Sequence, residues 1–388
     1  MTESDKDKEK DKKGREEGST RLDPKRRSKV VTRFETELMA RVVGQGRAIG
    51  EIVQSFARLT SGIRNPERPV LTLLFLGPTG VGKTETIKVL ANTIFGSAHA
   101  FTRVNCQEFA SPHQVAKLLG APPGYVGGDI EPILSQENID KHHKKAFDEK
   151  LGLFRRGSSG AVEKIFPDEK DNYLSIVLFD EVEKADPVLW NTLLGILDDG
   201  HLTLGNNKEV DFTRSIIILT SNVGSFEMSK MIGGGMGFSG PAAEKKADAK
   251  EIHKAAVQAA QALFPFEFLN RFDSLVVFDT LGEEQLYQIL DIYIDDLHRR
   301  VMNTETPFLL ELSNNVRRFL VKQGYDLRFG ARPLRRVVEK HIVTPLSNLL
   351  STDQVKKGDF ITTRLKGGSV VFEKESRTPR TLVTTRKA

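Results

Sequence analysis

The sequence contains a single cysteine, Cys106, among its 388 residues. One thiol excludes an internal disulfide and a metal site built from several cysteines, so the composition does not require an oxidising compartment. The chain also lacks a run of about 18 apolar residues, the length of a membrane-spanning helix, and its first 30 residues lack the apolar core of a signal peptide. We therefore expect a soluble, cytoplasmic protein that is neither secreted nor inserted into a membrane.

The body of the chain has no excess of positive charge, although the net charge is +5. Residues 1–29 carry a net +3 and residues 376–388 a net +4, which leaves −2 for residues 30–375. A nucleic-acid-binding face needs clustered Lys and Arg, so the near-neutral body argues against a nucleic-acid partner. The two charged ends are predicted to be solvated tails, with an electrostatic tether as the alternative for the first.

Short apolar runs of strand length alternate with stretches of helical periodicity. The runs are residues 70–76, 101–105, 175–180 and 215–220, and one or two amphipathic helices are expected before them, within residues 34–59. Unbroken hydrophobicity predicts strands buried on both faces, as in a parallel sheet covered by helices. The predicted fold class is therefore α/β, with a parallel sheet sandwiched by helices.

From about residue 280 the pattern becomes mostly helical and ends in an apolar/polar alternation that predicts a small hairpin within residues 359–374. We therefore predict four segments. They are a disordered charged tail (1–30), a large α/β domain (31–277), a smaller, mostly helical lid domain (278–375) and a basic tail (376–388).

The strongest chemical signal is GPTGVGKT at residues 77–84, which follows a predicted strand and opens a predicted helix. This is the P-loop (Walker A) pattern, in which backbone N–H groups and the helix N-terminus converge on phosphate. Lys83 would neutralise the β- and γ-phosphates of ATP, and Thr84 would offer its hydroxyl to Mg²⁺. The residues predicted to hold the nucleotide are Gly77, Pro78, Thr79, Gly80, Val81, Gly82, Lys83 and Thr84.

Two further strands end in polar residues. The run at 175–180 ends in Asp180 and continues into Glu181, the Walker B pattern, and the run at 215–220 leads to Asn222. At the carboxyl edge of a parallel sheet, Asp180 would hold Mg²⁺ and Glu181 would orient the attacking water. Asn222 could reach the same water or the γ-phosphate, although an Asn at a strand end is more often a turn former.

Eight segments in consistent order resemble a known family. They are VVGQ (42–45), GPTGVGKT (77–84), LLGAPPGYVGG (118–128), VLFDEVEKADP (177–187), LLGILDDGHLTLG (193–205), TSN (220–222), FEFLNRFD (266–273) and YDLRFGARPLRR (325–336). Together they look like a Clp-type AAA+ module, and more narrowly they are similar to the second ATPase module of the double-ring Clp unfoldases. The resemblance covers about residues 35–365.

The resemblance implies specific roles for the matching residues. Asn222 matches sensor 1, and Arg332 matches sensor 2, through which the lid would touch the γ-phosphate. Arg271 matches the arginine finger that reaches the nucleotide of a neighbouring subunit, and this role requires an oligomer. Without the family match, a surface salt bridge would explain both Arg271 and Arg332. Val42 and Val43 would line the adenine pocket.

The substrate contact implied by the resemblance is Tyr125 with Val126, in the loop GAPPGYVGG. In the similar proteins this aromatic-Val-Gly element projects into a central pore and grips unfolded polypeptide. A Tyr packed against its own domain is the alternative. The expected assembly is a homohexamer that hydrolyses ATP to unfold or remodel polypeptide, a hydrolase and chaperone activity.

Two features depart from the family pattern. Residues 129–174 form an insertion before the Walker B strand, and its adjacent His142 and His143 are expected to be solvated rather than to bind a metal. The chain also contains one such module and no recognisable adaptor domain, so substrate choice is expected to come from the tails, the insertion or a partner protein.

Three other functions compete with the unfoldase. A regulatory subunit for a separate peptidase is suggested by GGGMGFSG at 233–240, which resembles a peptidase-docking loop except for Met236. A nucleic-acid motor would need a basic pore. A scaffold that binds ATP without hydrolysing it would require loss of Glu181 or Arg271, and both are present.

Overall fold

The computed structural model describes residues 23–24, 26–61, 65–120, 131–149, 174–232, 249–326 and 330–375. Two helices precede the sheet, as expected: α1 (Lys29–Arg41) and α2 (Gly46–Thr60). Helix α1 includes the last two residues, 29 and 30, of the predicted charged tail. The reason is local, since the Ser28 hydroxyl caps the helix by accepting a hydrogen bond from the Val31 N–H at 3.3 Å.

A parallel sheet lies at the centre of the large domain. The strands of this domain are β1 (Leu71–Leu76), β2 (Thr102–Asn105), β3 (Ser175–Asp180), β4 (His201–Thr203), β5 (Glu209–Asp211), β6 (Ser215–Ser221) and β7 (Ser274–Val277). Five of them form the sheet in the order β2-β3-β6-β1-β7, and β4 pairs with β5 in a separate hairpin. The four predicted strands are confirmed, whereas β7 was missed because it is short and only half of it is fully buried.

The three central strands β3, β6 and β1 are buried on both faces, which is why they are almost entirely apolar. Alternate residues of one strand enter opposite clusters: Leu73 and Phe75 of β1 pack on one face, and Leu74 and Leu76 on the other. Strands β3 and β6 alternate in the same way. The first cluster continues into the C-terminal part of the chain, so that the two parts share apolar contacts.

Helices cover both faces of the sheet. In the large domain they are α3 (Lys83–Phe95), α4 (Pro112–Leu119), α5 (Gln136–Glu149), α6 (Pro187–Asp199), α7 (Ser225–Ile232), α8 (Ala249–Leu263) and α9 (Phe266–Leu269), with a 3₁₀ turn at Val182–Lys184. Helix α6 shows clear local signals at both ends. The Asp186 carboxylate caps its start and Pro187 fits its first turn, while Gly200 ends it at φ 66°.

The C-terminal part combines helices with a small sheet. Its elements are α10 (Glu283–Met302), β8 (Leu309–Leu312), α11 (Asn314–Gly324), α12 (Arg332–Val338), α13 (Thr344–Ser351), β9 (Phe360–Lys366) and β10 (Ser369–Glu375). The predicted hairpin is confirmed as the antiparallel pair β9 and β10, and β8 adds a parallel third strand that was missed. The exact limits of the four segments stay a prediction. Among the described residues, the helices are all too short or too polar to cross a membrane.

Helix α5 belongs to the segment predicted as an insertion, and it corrects one expectation. His143 is buried rather than solvated, and its Nδ1 accepts a hydrogen bond from the Leu174 N–H at 3.2 Å, next to β3. Burial lowers the pKa of His143 to about 4, so the ring is neutral and can act as this acceptor. The described residues contain no cluster of acidic, His or Cys side chains suited to a metal.

A buried glutamine connects three parts of the chain behind the P-loop. Gln45, which is 1% exposed, precedes α2. Its Nε2 donates to the Val81 carbonyl at 3.1 Å and to the Asp279 carbonyl at 2.8 Å, and its Oε1 accepts from the Asp279 N–H at 2.8 Å. Gln45 therefore fixes the P-loop against the segment that leads from β7 to α10.

Replacement of this glutamine should destabilise the protein. Gln45→Leu removes three hydrogen bonds, one to the buried Val81 carbonyl and two to the part-buried Asp279 backbone, which should cost about 2–4 kcal/mol of unfolding free energy. Urea unfolding followed by circular dichroism measures this, with Gln54→Leu on the exposed side of α2 as the matched control. Equal unfolding midpoints for the two variants would contradict the role of Gln45.

Candidate active site

Three neighbouring strands bring the predicted catalytic residues to one edge of the sheet. Strands β3, β6 and β1 are adjacent and parallel, so their carboxyl ends lie side by side. Strand β3 ends at Asp180, β6 leads to Asn222 and β1 leads to the P-loop. The juxtaposition expected from the sequence is therefore present.

The P-loop has the backbone conformation of a phosphate cradle. Gly77, Gly80 and Gly82 have φ angles of 142°, 75° and 113°, which side-chain-bearing residues rarely adopt. Gly82 directly precedes α3, whose N-terminus directs its free N–H groups and partial positive charge towards the loop. The residues from Thr79 to Thr84 line a cleft of about 970 Å³.

The Lys83 ammonium is buried in this cleft, with 8% of the residue exposed. It donates hydrogen bonds to the Gly77 carbonyl, to the Pro78 carbonyl at 2.9 Å and to the Asn222 Oδ1 at 2.9 Å. Burial lowers the pKa of Lys83 to about 8, and the nearby acidic groups, Glu183 first among them, oppose this shift. A bound phosphate would add the negative charge that a buried ammonium requires.

Asp180 is held by hydrogen bonds to both of its carboxylate oxygens. Thr220 Oγ1 donates to Oδ1 at 2.5 Å, and Arg103 Nη2 donates to Oδ2 at 2.5 Å. Each carboxylate oxygen can accept more than one bond, so Asp180 keeps capacity for a water or a metal ion. Its orientation is fixed by the two strands that flank β3.

Glu181 lies at a strained backbone position beside the cleft. Its φ of 59° is in the left-handed region, which costs a residue with a side chain about 1–3 kcal/mol. The Glu181 N–H donates to Thr220 Oγ1 at 3.1 Å, which helps to hold the turn. With this backbone conformation, Glu181 turns away from the direction of β3 and lines the cleft.

Asn222 connects the lysine with the acidic residues. While its Oδ1 accepts from Lys83, its Nδ2 donates to Glu181 Oε1 at 3.3 Å and to Glu183 Oε1 at 3.2 Å. The side chain is thus more than a turn former, the alternative reading of this strand end. It lies in the cleft wall together with Lys83 and Glu181.

The C-terminal part closes the cleft from the other side. The Ala331 N–H donates to the Gly80 carbonyl at 3.1 Å, and a Cβ on Gly330 would lie 2.7 Å from the same oxygen. Arg332 follows at the start of α12 and lines the cleft, where its charge acts against that of Lys83. Val42 and Val43 also line the cleft.

Arg271 lies away from this cleft. Its backbone carbonyl accepts from Thr72 Oγ1 at 3.1 Å, near the amino-terminal end of β1. Its guanidinium forms ion pairs with Asp198 at 2.7 Å and with Glu267 at 3.6 Å and is one-third exposed. The chain therefore does not bring Arg271 to its own P-loop.

Several predicted features lie outside the described residues. They are Tyr125 and Val126 of the proposed substrate loop, the GGGMGFSG segment at 233–240, and residues 129–130 and 150–173 of the insertion. His142 and His143 fall in the described part of that insertion.

Sequence reasoning missed four residues that shape the site: Arg103, Thr220, Glu183 and Gln45. Three of them had a detectable signal, because Thr220, Glu183 and Gln45 each lie two residues from a predicted site residue in the chain. Arg103 and Gln45 act through contacts that depend on strand order and on the path of distant segments.

The residues present fit a nucleoside triphosphate with Mg²⁺. The glycine cradle, the helix N-terminus and the buried ammonium provide donors and positive charge for phosphates. The Thr84 hydroxyl and the Asp180 carboxylate are hard oxygen ligands of the kind that Mg²⁺ prefers. Both line the same cleft as the cradle.

Two family models match the chain in the order of its two parts. The model described as AAA domain (Cdc48 subfamily) matches residues 68–166 and 149–275, and the model described as the C-terminal, D2-small domain of ClpB protein matches residues 281–363. The first model alone spans more than half of the chain.

Two relatives of similar sequence are chaperones of the Clp group by their names. The chain is 38% identical to the chaperone protein ClpB of Meiothermus ruber over 328 residues, which is 84% of this chain and 33% of the relative. It is 37% identical to the chloroplastic chaperone protein ClpD of Arabidopsis thaliana over 330 residues, 85% of this chain and 31% of the relative. The chain thus spans about a third of the length of these relatives.

A solved structure described as the S. cerevisiae Hsp104:casein complex in an extended conformation has a similar fold. Its TM-score is 0.69 at 29% sequence identity, over 89% of this chain and 52% of the other. The fold, the P-loop cleft, the two family models and these relatives agree. The chain belongs to the Clp family of AAA+ ATPases, within its chaperones, and resembles the second ATPase module of the double-ring members.

Proposed function

We propose that this chain works as a homohexameric ATPase that threads polypeptide through a central pore and thereby unfolds or remodels it. The observation that carries the proposal is the cleft in which Lys83, Glu181, Asn222 and Arg332 converge, formed between the two parts of the chain. A site in that place links the state of the nucleotide to the relative position of those parts. This linkage is what a mechanical ATPase requires.

Within the cleft, each residue has a distinct proposed task. Lys83 and the N-terminus of α3 bind the β- and γ-phosphates, and Mg²⁺ held by Thr84 and Asp180 would neutralise the phosphate charge. Glu181 orients the attacking water and accepts its proton. Asn222 holds the γ-phosphate or the water, and Arg332 contacts the γ-phosphate from the lid.

The position of Arg271 supports an assembly of several copies. Its guanidinium is held on the surface by Asp198 and Glu267, away from the cleft of its own chain. We propose that it completes the site of a neighbouring copy, where fixed positive charge would stabilise the transferring phosphoryl group. The two carboxylates then keep the arginine extended before the neighbour binds.

The proposed substrate is unfolded polypeptide, and the proposed contact is Tyr125 with Val126. An aromatic ring can contact any polypeptide without a requirement for a particular sequence. The Hsp104 structure, which contains casein by its description, and the chaperone names of the relatives support this choice. We propose the cytoplasm as its location.

The hydrolysis step can be separated from nucleotide binding. Glu181→Gln should reduce kcat for ATP by about 10²-fold or more, because the water loses its base, while nucleotide affinity stays near that of the parent. Lys83→Ala should instead abolish nucleotide binding. Fluorescent-nucleotide titration and phosphate release measure the two effects.

The matched control for these variants is Glu284→Gln, an exposed position on α10. It should leave both measurements unchanged. A Glu181→Gln variant that hydrolyses ATP at the parental rate would show that another residue positions the water, and unaltered affinity in Lys83→Ala would refute the P-loop assignment.

Arg271 should act between copies. Arg271→Ala should lower ATPase activity by about 10³-fold, and mixing it with Lys83→Ala chains should restore part of the activity, because one interface then combines an intact finger with an intact P-loop. Arg318→Ala, exposed on α11, serves as the control. No recovery on mixing, or full activity in a monomer, would contradict the proposal.

Tyr125 should be needed for work on substrate and not for ATP chemistry. Tyr125→Ala should retain most ATP hydrolysis and assembly but lose unfolding of a tagged fluorescent protein, because the loop contributes no group suited to phosphate or Mg²⁺. Tyr325→Ala, an exposed tyrosine outside the cleft, is the matched control. Unfolding at the parental rate by Tyr125→Ala would exclude the pore-loop role.

A further inference from the structure

Glu183 lies in the 3₁₀ turn after β3 and has no role assigned so far. Its Oε1 accepts two hydrogen bonds from Asn222, from the backbone N–H at 3.2 Å and from Nδ2 at 3.2 Å. Its Oε2 is covered and has no hydrogen-bond partner among the described residues. Shielding an unpaired acceptor from water costs free energy, so the position of this carboxylate requires an explanation.

Both hydrogen bonds that Glu183 accepts restrain the same residue, Asn222. Asn222 follows the last residue of β6, where the sheet no longer binds its backbone N–H, and Glu183 accepts that N–H instead. The second bond fixes the side-chain amide. Because backbone and side chain are both held, Asn222 cannot rotate its amide without breaking a contact.

The orientation that results directs the Asn222 amide at both Lys83 and Glu181. The Asn222 Oδ1 is directed at the Lys83 ammonium at 2.9 Å, and its Nδ2 at the Glu181 carboxylate at 3.3 Å. A flipped amide would point its N–H groups at an ammonium and its oxygen at two carboxylates, and both contacts would be repulsive. Glu183 thus reinforces the only favourable arrangement.

Glu183 itself does not line the nucleotide cleft, whereas Lys83, Glu181 and Asn222 do. We propose that Glu183 is a positioning residue for ATP hydrolysis, which holds the Asn222 amide between Lys83 and Glu181. It acts through Asn222 and not on the nucleotide. The proposal concerns ATP hydrolysis and does not depend on pore threading.

Two substitutions separate the reach of the side chain from its charge. Glu183→Gln keeps an acceptor oxygen at the same distance and removes the charge, whereas Glu183→Asp keeps the charge and withdraws the acceptor by one methylene. We expect Glu183→Gln to retain kcat within about threefold and Glu183→Asp to lose about 10- to 100-fold, with KM for ATP little changed in either. Neither change alters the hydrophobic core.

A double-mutant cycle tests whether the effect passes through Asn222. The Asn222→Ala variant should lose activity, and adding Glu183→Asp to it should cause no further loss, since the residue being positioned is already absent. Glu227→Asp and Glu227→Gln, at an exposed position on α7, are the controls. Thermal unfolding checks that every variant is folded.

The outcomes are distinct. The proposal is supported if Glu183→Gln retains kcat while Glu183→Asp loses it. It also requires that the loss caused by Glu183→Asp does not add to that of Asn222→Ala. It is overturned if Glu183→Gln loses as much kcat as Glu183→Asp or more, because the charge would then be what matters. It is also overturned if Glu183→Asp is fully active, or if its effect adds to that of Asn222→Ala.

Discussion

The buried ammonium of Lys83 is the constraint on which the site depends. A charge removed from water must be compensated nearby, and here two P-loop carbonyls, the Asn222 amide oxygen and the acidic groups around Glu183 share that task. The carbonyls set the shape of the loop, and the amide sets the side-chain orientation at the end of β6. The three groups that accept hydrogen bonds from Lys83 are all neutral, and a bound phosphate would place a negative charge in direct contact with the ammonium.

The P-loop is held from two directions by segments that are distant in the chain. Gln45 binds the Val81 carbonyl and the Asp279 backbone from one side. From the other side, the Ala331 N–H binds the Gly80 carbonyl. One carbonyl of this loop is therefore linked to Asp279 through Gln45, and the adjacent carbonyl is bound directly by Ala331.

The sequence predicted those strands and motifs that are recognisable from residues adjacent in the chain. Unbroken apolar runs identified β1, β3 and β6, a short run of strand length identified β2, and the spacing of the P-loop identified its cradle. Strands β7 and β8 escaped because each has four residues and depends on its neighbours for burial. His143 was misassigned for the same reason, since its charged surroundings in the sequence suggest solvent whereas tertiary packing buries it beside Leu174. Contacts of Gln45 and Arg103 join segments far apart in the chain, and composition carries no trace of them.

The location of Arg271 follows from the direction of the parallel strands. Its carbonyl accepts from Thr72 near the start of β1, whereas the P-loop begins after Leu76, at the other end of the same strand. The intervening strand is about 16 Å long, more than an arginine side chain can span. The sheet therefore separates this arginine from its own phosphate cradle by construction. The ion pair with Asp198 at this opposite edge agrees with the proposed role of Arg271 in the site of a second copy.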